Sequence, residues 1–168
     1  MADIISNRPL SDPESMALIE LLFFAYRDFV ADPDGILEVL DYGRAHHRVL
    51  HFVGRDPGLT VAQLLDILRI TKQSLSRVLK DLIEDGYVLQ REGTEDRRQR
   101  LLHLTAKGDS LWRKLIGPQM QRFRDAAAQS DGDAKTHYHE LLFHLISAGN
   151  RDAVRNWIDR VTVVGGTD

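Results

Sequence analysis

Apolar residues recur at helical spacing along most of this chain, and only one short stretch departs from that period. Across residues 12–30, Met16, Ile19, Leu22, Phe23, Tyr26 and Val30 make one stripe, while Leu18, Leu21, Phe24 and Phe29 fill much of the other side. Asp12 suits an N-cap, Pro13 the first helical position, and Glu14 the positive end of the helix dipole. A helix that is apolar on nearly every side must be covered on nearly every side. In a chain this short, a second subunit is the simplest cover. The run Ala31-Asp32-Pro33-Asp34-Gly35 predicts that this helix breaks.

Further along, helices are expected from about Gly43 to Val53, from Thr60 (as N-cap) to Ile67, and from Lys72 to about Asp85. Thr71 caps the last of these and Gly86 closes it. The period then changes: Tyr87 to Arg91 and Arg100 to Thr105 read as a strand pair, joined by the polar, glycine-containing segment 92–99. After Thr105 the pattern is helical again to about Ala128. A break at 130–133 follows, then helices over roughly 134–148 and 151–161. The expected fold is therefore mainly α, with one small two-stranded hairpin. The expected organisation is an N-terminal helix and linker over 1–42, a compact lobe over 43–110 and C-terminal helices over 111–168.

Composition narrows the function. No apolar run approaches the roughly 18 residues a membrane span requires, and the N-terminus lacks a basic-then-apolar export signal. There is no cysteine, which removes disulfides, thiolate metal sites and a Cys nucleophile. A cytoplasmic location is expected. The net charge of −3 is divided unevenly: residues 69–114 hold eleven basic and seven acidic side chains, +4, which leaves −7 for the remainder. Phosphates respond to the local field rather than to the total.

Short helix, tight turn, second helix and basic-tipped hairpin follow the order of a winged helix-turn-helix. In such a module the second helix enters the major groove of DNA and its early residues meet base edges. Leu75, Val78, Leu79, Leu82 and Ile83 form an anchoring stripe on this helix. Thr71, Lys72, Gln73, Ser74, Ser76, Arg77 and Lys80 are left as candidate DNA contacts. Gln73 and Arg77 suit bidentate base contacts, whereas Ser74 and Lys80 suit phosphates. In the hairpin, Arg97, Arg98 and Arg100 are the candidate contacts, with the tip arginines suited to a narrow minor groove. Asp96 would repel phosphate, so it is expected to pair with a nearby arginine and hold the loop. A winged helix that serves as a protein adaptor would share this layout.

Three segments carry a more specific signal: 57–65 (PGLTVAQLL), 71–88 (TKQSLSRVLKDLIEDGYV) and 96–108 (DRRQRLLHLTAKG). Together they resemble the MarR family of bacterial regulators, whose wing reads Asp-x-Arg and then apolar-x-Leu-Thr-x-x-Gly. Asp96, Arg98, Leu102, Leu104, Thr105 and Gly108 match that pattern. The resemblance implies a homodimer built from the N- and C-terminal helices. It also implies sequence-specific binding of double-stranded DNA at a pseudo-palindromic operator, most commonly as a repressor. Relief by a small-molecule effector is a further implication, and Tyr26, Phe29, His46, His47 and Trp112 are the candidate pocket residues, although core packing explains such aromatics as readily.

Two other chemistries have little support in the sequence. His47 and His51 stand four apart on an expected helix, a spacing that can bind metal, but they lack a third ligand in the sequence. There is no phosphate-binding glycine loop, nucleophile motif or carboxylate pair. Neither an enzyme, nor a cofactor, nor a metal centre is expected.

Overall fold

The computed structural model describes residues 12–93, 96 and 98–164. In chain order the elements are α1 (Pro13–Glu38), α2 (Arg44–Arg55), β1 (Leu59–Thr60), α3 (Val61–Leu68), α4 (Lys72–Glu84), β2 (Val88–Glu92), β3 (Arg100–Leu104), α5 (Ala106–Ala128), α6 (Ala134–Leu145) and α7 (Ala148–Val164). The fold is mainly helical with a small antiparallel sheet.

Two expectations are corrected. The expected break at 31–35 does not occur, and α1 runs on to Glu38 with Pro33 inside it. An internal proline has no N–H to give the carbonyl four residues earlier. That carbonyl belongs to Phe29, and here it accepts from Gln119 Nε2 of α5 at 3.2 Å. Gln119 is only 5% exposed, and both Pro33 and Leu37 are buried. The long-range bond and the burial together carry the helix through its weak point. The second correction concerns the sheet, which has three strands in the order β1-β3-β2 rather than a lone pair. Leu59 faces Leu102 and Thr60 faces Leu101. Gly58, with φ +94, makes the turn into β1, and its N–H donates to the Leu102 carbonyl at 2.8 Å.

The core lies between α2, α3, α4, the sheet and the start of α5. Leu50, Leu64, Leu75, Leu82, Leu102 and Leu115 are fully buried there, and Leu37 of α1 joins them. The local signals for the helices act as their physics requires. Thr60 Oγ1 accepts from Gln63 N–H while the Gln63 side chain accepts from Thr60 N–H, a reciprocal cap. Thr71 Oγ1 accepts from Ser74 N–H. Gly86, with φ +74, closes α4.

The base of the hairpin is pinned by Thr105. Its hydroxyl donates to the Gly86 carbonyl at 2.7 Å and accepts from Gly108 N–H at 3.0 Å. A Cβ at position 108 would sit 2.0 Å from the Tyr87 carbonyl oxygen, so only glycine lets α5 start this close to β2. That contact is the physical content of the Thr-x-x-Gly pattern.

Outside the lobe the burial changes character. On α1, Leu18, Ile19, Leu21, Leu22, Phe23, Phe24 and Tyr26 are all exposed, Phe23 to 69%. On α6 no residue is buried. Helix α7 turns back to the lobe: Val161 is buried, and Trp157 meets Phe52 of α2 edge-on at 5.1 Å. Among the described residues no helix is long and apolar enough to cross a membrane.

Candidate nucleic-acid interface

Helix α4 is two-faced. Leu75, Val78, Leu79 and Leu82 are buried, whereas Thr71, Lys72, Gln73, Ser74, Ser76, Arg77 and Lys80 are all exposed. The first turn of α4 is thus a row of donors standing on an apolar anchor. Thr71 and Ser74 are partly committed to each other, since the Thr71 hydroxyl donates to Ser74 Oγ at 2.8 Å. Lys80 makes an exposed pair with Glu84 at 3.8 Å, weak enough to exchange for a phosphate. No ion pair engages Lys72, Arg77 or Arg98 among the described residues.

Two acids at the far end of α4 are turned to structural use. Asp81 Oδ2 lies 3.3 Å from His46 Nε2, and Asp85 Oδ2 accepts from the Tyr42 hydroxyl. Tyr42 and His46 stack at 4.3 Å with nearly parallel rings. The other nitrogen of His46, Nδ1, accepts from Gly43 N–H at 3.1 Å and so caps α2. Burial and the Asp85 carboxylate push the Tyr42 phenol upward, which keeps it a donor. The α1–α2 elbow is thereby fastened to the far half of α4, leaving the near half clear.

In the wing, Gly93 N–H donates to the Gln99 carbonyl and Gln99 N–H to the Asp96 carbonyl. Asp96 holds the loop through its Oδ1, which accepts from the backbone N–H of Arg98 at 2.9 Å. A carboxylate beside a free backbone N–H makes a short local turn, which needs no long side chain to be ordered. A Cβ at Gly93 would meet the Asp96 carbonyl oxygen at 2.6 Å, so the turn requires glycine there. Arg98 is exposed. Arg100 pairs across the strands with Glu92 at 3.3 Å. Arg97 lies outside the described residues.

The candidate pocket residues lie in different surroundings. Tyr26 is exposed on α1 beneath the Arg44 guanidinium, and Phe29 meets Phe123 of α5 edge-on. Trp112 lies against Gly54. His47 is buried in the lobe, which lowers its pKa, and His46 is engaged as described. His46 alone of the five lines the cleft beside α4, together with Arg44, Ser74, Arg77 and Asp81. Burial pushes the neighbouring His51 down to about 4. Among the described residues no three His, Asp or Glu side chains are grouped to hold a metal ion.

Sequence reasoning missed the bond from Tyr42 to Asp85 and the basic residues around the end of α3. Arg48 Nη2 donates to the Leu68 carbonyl at 2.8 Å, and Arg69 reaches both Asp66 O and Asn150 Oδ1. The spacing Gly43 to His46, an N-cap and its third following residue, is the one signal that could have assigned His46 its capping role.

A family model described as the MarR family matches residues 40–99. The chain is 50% identical over 142 residues to the HTH-type transcriptional regulator PetP of Rhodobacter capsulatus, covering 84% of this chain and 86% of that one. Streptococcus pneumoniae FabT, solved in complex with DNA, superposes with a TM-score of 0.69 at 19% identity, over 79% of this chain and 94% of its own. Wild-type apo MarR from E. coli gives 0.58 at 21% identity, over 77% and 97%. At such identities these last two are likenesses of fold.

Proposed function

The chain belongs to the MarR family of HTH-type transcriptional regulators, and from that premise we propose that it is a cytoplasmic homodimeric repressor that binds double-stranded DNA sequence-specifically. The family is one of regulators and not of enzymes. The observation that carries the reading is the exposed first half of α4, whose donors Lys72, Gln73, Ser74, Ser76 and Arg77 stand clear while Asp81 and Asp85 are engaged at the α1–α2 elbow. A helix with that face fits the major groove, and the wing arginines fit the adjacent minor groove.

The dimer reading is supported by the apolar surface of α1, α5 and α6. Phe23, Phe24, Met120, Phe123, Leu141 and Leu145 are all exposed, and large exposed apolar side chains of this kind mark interaction surfaces when they adjoin. A two-fold dimer would read a pseudo-palindromic site with half-sites about one helical turn apart. Repression follows if that site overlaps a promoter. An effector that changes the angle between arm and lobe would relieve it.

Binding to duplexes of varied sequence at several salt concentrations tests this. Gln73→Ala or Arg77→Ala should relax preference at particular base pairs by about 1–3 kcal/mol. Arg98→Ala should instead weaken binding at every sequence and lower the salt slope by about one per subunit. Uniform weakening by the two α4 variants would reassign them as phosphate clamps. An absence of any salt-dependent duplex binding would favour a protein adaptor.

A further inference from the structure

The turn between α3 and α4 contains a backbone conformation that its residue does not favour. Arg69, the C-cap of α3, has φ +52 and ψ +40, the left-handed region in which glycine or asparagine is the usual occupant. A non-glycine residue is held there only when its surroundings demand it, and such residues gather at functional sites. What the side chain does is also visible. Arg69 Nε donates to the Asp66 carbonyl at 3.0 Å, and Nη2 donates to Asn150 Oδ1, on α7, at 3.1 Å. Arg48 of α2 approaches the same end of α3 and donates to the Leu68 carbonyl at 2.8 Å.

Several guanidinium groups elsewhere among the described residues are neutralised, and these two are not. Arg44, Arg113, Arg122 and Arg160 each contact a carboxylate that neutralises them. Arg48 and Arg69 are oriented only by neutral carbonyl and amide oxygens, with no carboxylate in ion-pair range among the described residues. Both are exposed. The result is a pair of fixed, unneutralised cations immediately before the first turn of α4.

We propose that Arg69, with Arg48 beside it, is a third site for the phosphate backbone of duplex DNA, and that α7 orients it through Asn150. This rests on the DNA-binding reading above and adds to it a site separate from the exposed α4 face and the wing. Oriented cations lose little freedom on meeting phosphate, and an exposed guanidinium can donate to its oxygens bidentately. Helix α7 is placed for this role. Beyond Asn150, Trp157 packs on Phe52, Arg55 donates to the Val161 carbonyl at 3.4 Å, and Arg160 pairs with Asp56 at 2.5 Å. The C-terminal helix is therefore fastened along the lobe, with its first turn at the arginine.

Capping of α3 alone would also hold Arg69 in place, since cations favour a helix C-terminus. Arg69→Gly separates the two roles. Glycine accepts a positive φ freely, so a purely capping role predicts little change in DNA binding, and a phosphate role predicts a loss of binding in a protein that is no less stable. The test measures affinity for one duplex of fixed sequence across a salt series, with unfolding temperature measured in parallel on the full chain. Arg69→Gly should leave the unfolding temperature unchanged or raised and lower the salt slope by about one per subunit. Arg48→Gln should lower the slope similarly, and Arg69→Lys should restore most of it. Asn150→Ala should weaken binding several-fold with the slope kept, because the charge remains but is no longer aimed. If Arg69→Gly leaves affinity and slope unchanged while Arg98→Ala still lowers the slope, the third site is overturned and the DNA-binding reading stands. If the unsubstituted protein shows no salt-dependent binding to duplex, both fall.

Discussion

The lobe and the arm are made of the same residue types and use them in opposite ways. In the lobe, leucines and valines from α2, α3, α4 and the sheet are buried against one another, and polar residues are left to cap, turn and face outward. Along α1, a comparably apolar stretch from Leu18 to Tyr26 is left largely exposed by the described residues. The lobe is a finished core, whereas the arm is half of one. The lobe is self-contained, whereas the apolar face of the arm is left open for the second copy in the proposed dimer.

The sharpest way to break this contrast is to charge the arm. Leu21→Asp together with Phe23→Asp should reduce the sedimenting mass to a single chain while the amides of α4 keep their hydrogen-exchange protection. Loss of that protection in the monomer would show the lobe to depend on the arm after all. The complementary change empties the lobe. Leu82→Ala should cost about 2–5 kcal/mol in denaturant unfolding, because Leu82 is fully buried and the space cannot refill.

A smaller effect comes from pH. The folded lobe keeps His51 neutral, its pKa lowered from 6.5 to about 4 chiefly by burial, with His47 and Arg55 adding repulsion. The unfolded chain takes up a proton that the folded chain refuses as the pH falls between those values. Stability is therefore full above about pH 6.5 and is lost below it, by up to about 3 kcal/mol at pH 4. In His51→Leu that part of the slope should vanish, as followed by denaturant unfolding from pH 7 to 4. The smallest expected effect sits where arm meets lobe. Gln119→Leu orphans the Phe29 carbonyl and should cost about 1–3 kcal/mol. Pro33→Ala in the same chain should recover part of this by supplying the missing N–H, and a double-mutant cycle in thermal unfolding measures the coupling.

What could be read from the sequence follows the same division. The elements of the lobe were legible because their signals are local: Thr60 and Thr71 cap within three residues, Gly86 terminates α4, and the leucine stripe has helical period. The exposed face of α4 followed from that stripe. Signals that depend on distant partners were not legible. Pro33 reads as a breaker until Gln119, on another helix, takes the freed carbonyl 90 positions away. Strand β1 is two residues long and too short to show a period. His46 carries no local mark of its bond to Asp81, so it was open to being read as a pocket residue. Arg69 looked like one more surface charge, because a backbone dihedral is invisible in the letters.

The Gln119 bond has one mechanical consequence. With its proline bridged, α1 is a single strut of 26 residues, roughly 39 Å from end to end. One end bears the apolar face that seeks a partner and the other ends at the elbow clasped to α4. Rocking such a strut by about 5° carries its far end about 3 Å, close to the rise of one base step, about 3.4 Å. In the proposed dimer, slight reseating of the two copies would be geared up into a whole step of misregister along the duplex, and the Gln119 bond with the burial of Pro33 and Leu37 keeps the lever straight.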